Sequence, residues 1–238
     1  MSDLTLYTYF RSSTSFRVRI ALNLEGLPYT PVFVNLARGE HKSDWFRRMN
    51  PRGVLPVLQH NEPDAATPFI VSGSLPIVEY LSWKYSRLIV GSAKHQAYIR
   101  MLADAMNDAQ VLINRAGVRP MIKELGNDCL GGPEKVWSDW TRGWASIGLM
   151  RVEKMLERFP KGIGDFCLGS HTPTLADVWL VPLVYAAKRE NYPFEKLHPA
   201  LARIFEKLMK RSDFQLAAPE NQPDAKEGFY DTYPRPEE

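Results

Sequence analysis

The sequence predicts a chain in two parts, an α/β domain followed by an all-α domain. Two observations predict it. Up to residue 86, segments of strand and helix character alternate in the order βαβαββα. Beyond about residue 94, apolar residues recur only at helical spacing. Residues 87–93 between them carry no period and read as a linker.

Each element has its own signal. Leu4–Tyr9 is rich in β-branched and aromatic residues and reads as a strand. Ser15–Leu24 follows as an amphipathic helix with Phe16, Ile20 and Leu24 on one face and Gly26 as its stop. Tyr29–Asn35 is a second strand, and Ser43–Met49 a short helix closed by Asn50-Pro51. Val57–Leu58 and Phe69–Val71 form the arms of a hairpin across a long loop. Ser74–Lys84 is a helix with Leu75, Val78 and Leu81 on one side. This order is that of a thioredoxin-like fold over 1–86. In the helical part, over 94–223, Tyr98, Leu102, Ala105, Ala109, Leu112 and Ala116 mark one long helix. Trp137, Trp140, Trp144, Ile147, Met150 and Leu156 mark another. Thr174-Leu175-Ala176-Asp177 reads as a capping box that opens Val178–Lys188. Pro199–Lys210 is a last helix. The proline- and charge-rich segment from Glu220 reads as irregular, and 224–238 as a tail.

Composition excludes several classes. The 238 residues are 45% hydrophobic, which supports a packed core. No apolar run approaches the ~20 residues of a membrane span, so no membrane association is expected. A net charge of +3 with interspersed signs argues against a nucleic-acid partner. Two isolated cysteines, Cys129 and Cys167, lack metal-ligand spacing and argue for a reducing compartment. Met1-Ser2-Asp3 lacks a secretory layout. The expectation is a cytoplasmic protein without a metal site.

The chemistry concentrates at helix starts. Ser12, Ser13 and Thr14 lie where the first strand gives way to a helix, so hydroxyls meet unpaired N–H groups and the positive end of a helix dipole. Such a place favours an anion, a thiolate included. Taken singly, each is equally an ordinary N-cap. Pro56, entering a strand, is a poor ladder residue; a trans proline at a loop end is the commoner alternative, and a cis Leu55–Pro56 bond the one that reconciles it with the strand. Leu55 then turns its N–H and C=O outward to an extended peptide. Gly73-Ser74 opens a second helix with a hydroxyl, a setting suited to a carboxylate.

In that order, and followed by a helical half, these features resemble the cytosolic glutathione transferases. Ser12-Ser13-Thr14-Ser15-Phe16-Arg17-Val18-Arg19-Ile20-Ala21-Leu22 is similar to the signature Ser-Ser-Cys-Ser-x-Arg-Val-Arg-Ile-Ala-Leu of their zeta class, which includes the maleylacetoacetate isomerases. The likeness continues through Asn50-Pro51, Ser74–Leu81, Asp108–Val118, Leu175-Ala176-Asp177 and Gln215–Asp224. Loops at 59–72 and around 126–135 fall outside it. The resemblance implies glutathione as cofactor and a cis–trans isomerisation of a maleyl dicarboxylate by a homodimer. It implies that Ser12 favours the glutathione thiolate, with Ser13 and Thr14 as further donors. Thr14 stands where the family has cysteine, which removes a nucleophile and keeps a donor. It also implies peptide pairing at Leu55 and Pro56, and a γ-glutamyl carboxylate at Gly73 and Ser74. The family has Gln or Glu where Gly73 stands, so that side-chain contact is lost. His41 aligns with a residue at the glycyl end. Gln110, Asn114 and Arg115 align with cleft residues, and Arg11 and Arg189 are placed to hold substrate carboxylates. Alternatives remain open: a maleylpyruvate isomerase, a general glutathione transferase acting on halo-acids, or a glutathione-binding module without catalysis. A thiol–disulfide oxidoreductase is disfavoured, because no cysteine stands at the helix start.

Overall fold

The computed structural model describes residues 3–63, 65–85, 87–114, 118–127, 131–159 and 162–233. Strand β1 (Leu4–Thr8) leads into α1 (Ser13–Glu25), β2 (Thr30–Phe33), α2 (Asp44–Met49), β3 (Val57–His60), β4 (Phe69–Ser72) and α3 (Ser74–Tyr85). The strands form one sheet of order β2-β1-β3-β4. β1 pairs with β2 in parallel and with β3 antiparallel, and β4 closes the antiparallel edge. The expected βαβαββα order is present. The helices that follow are α4 (Ala93–Asn114), α5 (Val118–Leu125), α6 (Gly132–Arg158), α7 (Leu175–Arg189), α8 (Phe194–Leu197), α9 (Pro199–Met209), α10 (Ser212–Ala217) and α11 (Phe229–Thr232). No helix among the described residues is long and apolar enough to cross a membrane.

Two compact units result, and the boundary differs from expectation. One unit joins residues 1–88 to 211–238, and the other spans 89–210. The closing segment therefore belongs with the first unit. It is also structured: 3-10 turns at Pro219–Asn221 and Pro223–Ala225 precede α11.

In the first unit, the pleat of β1 separates two layers. Leu4, Leu6 and Thr8 are buried on one side, where Arg19 of α1 donates to the Thr8 hydroxyl. α1 and α3 pack together, with Phe16, Ile20, Ile77 and Leu81 in the core. On the other side Tyr9, Val34, Phe46, Leu55 and Val57 form a cluster, closed by Tyr7, Trp45, Met49 and Tyr230. Tyr230 comes from the closing segment, held by Arg38, whose guanidinium donates to the Tyr230 carbonyl (2.7 Å) and to Asp231 (2.6 Å).

The expected amphipathicity of α1 does not hold. Every residue from Ser15 to Leu22 is buried, Arg17 and Arg19 included. The reason lies far along the chain: α10 packs on α1, and the Ala217 carbonyl accepts from Arg19 Nε at 2.9 Å. Leu24, expected on the apolar face, is only half-buried.

The second unit is built on α4, which packs against α6 and α7. The buried seam of α6 runs through Trp137, Thr141, Ala145, Gly148, Val152 and Leu156, so the expected stripe is right at its ends only. Ile147 and Met150 are exposed. Small residues line the seam because the helices approach closely: a Cβ on Gly148 would lie 2.2 Å from Ala109 Cβ. At α7, the expected capping box is present, with Thr174 and Asp177 bonding each other's backbone. Asp177 also accepts from Cys167 N at 2.9 Å, and burial raises the pKa of both side chains.

Candidate functional site

The turn from β1 into α1 is fixed from beneath. Arg19 is fully buried, and besides Ala217 its guanidinium donates to Thr8 Oγ1 (3.1 Å), Tyr9 O (3.3 Å) and Phe10 O (3.3 Å). Phe10 N donates to Asp224 Oδ2 at 2.9 Å, and that same oxygen accepts from Tyr230 Oη at 2.7 Å. Burial raises the Asp224 pKa, against the opposing pull of Tyr230, the Phe10 N–H and Arg19. Burial, then Asp224, raises that of Tyr230. A half-turn of backbone with so many partners has little freedom left.

Above this base, Ser12 is the N-cap of α1 and its Oγ accepts from Ser15 N at 3.1 Å. The ordinary role of a capping serine is therefore filled. Its hydroxyl also lies 3.0 Å from Thr14 Oγ1, which donates to the Leu55 carbonyl at 3.1 Å. A hydroxyl has one hydrogen. Thr14 spends its hydrogen on Leu55, so the contact between the two hydroxyls is Ser12 donating to Thr14. The order is Ser12 to Thr14 to Leu55, and it joins the helix start to the segment before β3. Ser13 is half-buried beside them, in the first turn. Arg11 is exposed.

The Leu55–Pro56 peptide is cis. Leu55 is buried, yet its N–H has no acceptor among the described residues. An unspent donor and a carbonyl with a second lone pair on the same residue fit an extended peptide laid alongside. Glutathione has this character, and the residues present fit it.

At the second helix start, Ser74 is buried at the first position of α3. Its Oγ accepts from Arg17 Nη1 at 3.3 Å. Arg17 is 1% exposed, and burial pushes its pKa down to about 9, so it is charged at pH 7. Gly73 has φ +93, a conformation that side chains disfavour. His41 is half-buried; its Nδ1 has no partner among the described residues, and burial, then Lys42 and Arg47, lowers its pKa.

The structure thus brings Ser12, Ser13, Thr14, Leu55 and Pro56 together, and places Ser74 on the same unit. The remaining residues lie in the second unit. Gln110 is buried, and its amide donates to the Pro182 carbonyl at 3.0 Å, an internal helix-to-helix bond. Asn114 ends the described part of α4, and Arg115 lies outside the described residues. Arg189 is exposed at the end of α7. Sequence reasoning missed Arg17, Arg19, Asp224 and Tyr230. Two charges inside an apolar helical run were the available signal for the arginines.

A thioredoxin-like sheet whose first helix opens on hydroxyls, joined to a helical unit, is the architecture of the glutathione transferases. Residues 6–89 match the glutathione S-transferase N-terminal domain family. The chain is 34% identical to a maleylacetoacetate isomerase of Pseudomonas aeruginosa, over 92% of this chain and 97% of that protein. A holo structure of a maleylpyruvate isomerase, described as a bacterial zeta-class glutathione S-transferase, superposes with TM-score 0.78 at 33% identity, covering 93% of this chain and all of that one. A maleylacetoacetate isomerase from Anaeromyxobacter dehalogenans, solved with glutathione in its active site, gives TM-score 0.80 at 32% identity, over 95% and 100%. The chain belongs to the zeta class of the glutathione S-transferases.

Proposed function

We propose that this protein is a glutathione-dependent isomerase that turns the cis double bond of a maleyl dicarboxylate trans, with maleylacetoacetate as substrate, and that it also acts as a glutathione transferase. The carrying observation is the Ser12–Thr14–Leu55 hydrogen-bond chain, in a protein whose relatives bear those isomerase names. Glutathione, when bound, supplies a sulfur nucleophile that is regenerated at the end of the cycle. When glutathione binds, Ser12 turns its O–H from Thr14 to the sulfur, assisted by Ser13 and by the α1 N-terminus, and so favours the anion. Leu55 pairs with the peptide through its N–H and C=O. Ser74, at the head of α3, receives the γ-glutamyl carboxylate, and His41 meets the glycyl end. Arg11 and Arg189 hold the substrate carboxylates, for which planar bidentate donors are suited.

Supporting the closest rival, maleylpyruvate as substrate, is the likeness to the maleylpyruvate isomerase structure. Product analysis decides. The protein is given maleylacetoacetate, maleylpyruvate and a halo-acid, each with and without glutathione. Glutathione-dependent trans product from maleylacetoacetate at the highest rate is expected. Faster turnover of maleylpyruvate reassigns the substrate, and retention on immobilised glutathione without any turnover defeats the enzymatic reading. We further propose a cytoplasmic homodimer. The family resemblance and the exposed Met101, Val111, Ile147 and Met150 support the dimer, and light scattering at the mass of one chain would refute it.

A further inference from the structure

The reading above leaves a gap at the γ-glutamyl end. The resemblance implies Gln or Glu before the serine of α3, and this chain has Gly73. The structure shows what occupies that ground. A Cβ built on Gly73 would lie 3.4 Å from Arg52 Nη1, so the Arg52 guanidinium stands against the bare backbone where a side chain would begin.

Arg52 is presented there by a tightly held loop. Asn50 is buried and spends both ends of its amide on the loop: Oδ1 accepts from Arg52 N (3.3 Å), and Nδ2 donates to Val54 O (2.7 Å). Gly53 turns the chain with φ +57, and a Cβ there would meet the His41 carbonyl at 3.1 Å. Arg52 itself is exposed, and its guanidinium has no hydrogen bond or ion pair among the described residues. Arg17 approaches Ser74 from the buried side. The head of α3 is therefore bracketed by two guanidinium groups, one beneath the hydroxyl and one in solvent.

We propose that Arg52 grips the α-carboxylate of the γ-glutamyl residue of glutathione, taking over the contact that Gly73 lacks, while Arg17 acts through Ser74 as a positioning residue. This rests on glutathione being the cofactor, as proposed above. A guanidinium offers two parallel N–H donors to a carboxylate, a stronger partner than the amide it would replace. The swap also explains how a glycine, which relieves the positive φ, is tolerated at a ligand-binding position.

The test is calorimetric titration of the full chain with glutathione and with γ-aminobutyryl-cysteinyl-glycine, which lacks only that carboxylate. Wild type is expected to bind glutathione the tighter. Arg52→Ala and Arg52→Gln should each weaken glutathione about tenfold and leave the analogue unchanged. Arg52→Lys should fall between, since a point charge makes no fork. Unchanged melting temperatures, expected at an exposed site, show the variants folded. An unchanged glutathione affinity in Arg52→Ala overturns this inference alone, as does an equal loss for both ligands. Failure of the wild type to bind glutathione overturns the cofactor reading and this inference with it.

Discussion

Helices α1 and α3 both begin at a serine, and the two starts are dressed differently. At α1 the Ser12 hydroxyl sits among neutral oxygen and nitrogen atoms: the Ser15 N–H, the Thr14 hydroxyl and, through it, the Leu55 carbonyl. The buried Arg19 is turned down onto the backbone of Thr8–Phe10 and steers the loop. At α3 the Ser74 hydroxyl faces the guanidinium of Arg17, and Arg52 borders Gly73. Helix dipole and hydroxyl are common to both. On the proposed assignment, what separates a place for a soft, polarisable sulfur from one for a hard carboxylate is whether cations are aimed at the ligand or spent on the scaffold.

Four experiments break or sharpen this contrast. The largest effect is expected from Arg19→Met, which removes the support of the α1 start and leaves three carbonyls and a hydroxyl short of a donor. Stability should fall by about 3–5 kcal/mol, read by urea unfolding. A loss under 1 kcal/mol would mean that the turn holds itself. Next, Ser12→Ala should lower isomerase turnover about 100-fold and raise the pKa of bound glutathione, followed by thiolate absorbance. Ser74→Ala should instead weaken glutathione binding about tenfold and leave that pKa where it was. If the two variants behaved alike, the contrast would be void. Third, Thr14→Val takes away the acceptor on which Ser12 spends its hydrogen. The hydroxyl is then released for the sulfur, and the bound thiol should titrate lower by up to about one unit. A rise would show that Thr14 donates to the sulfur itself.

The smallest effect concerns Asp224. Its carboxyl titrates above the ordinary value because it is buried. On acidification the native state takes up this proton before the unfolded chain does, so the group's contribution to stability grows as pH falls. It levels off once the unfolded carboxyl titrates, near 3.8. Asp224→Asn should remove that pH dependence and shift stability at pH 7 by less than about 1 kcal/mol. Unfolding curves between pH 4 and 7 check it.

Local signals made the strands and the element order of the first domain legible. β1 alternates, Gly26 stops α1 in a left-handed conformation, and Ser12 and Ser74 stand at helix starts as their chemistry suggests. The burial of α1 was not legible, because its cover arrives from residues 211–217, almost two hundred positions later. Arg17 and Arg19 therefore gave no clear sign in the sequence of being buried donors. The seam of α6 was misread for a different reason. Its close approach to α4 demands small residues, while the large apolar ones face outward. Arg52 gave no signal at all, since an exposed arginine in a loop looks like any other until the bare backbone beside it is seen.

The strap formed by residues 211–233 carries a lesson about timing. A chain emerging from the ribosome makes the sheet first, but Arg19 must wait for Ala217, and the Phe10 amide for Asp224. The corner proposed for the sulfur is finished only after residue 224 has been made. Cutting the gene at the junction of the two units would yield a fragment with every strand and without a working corner.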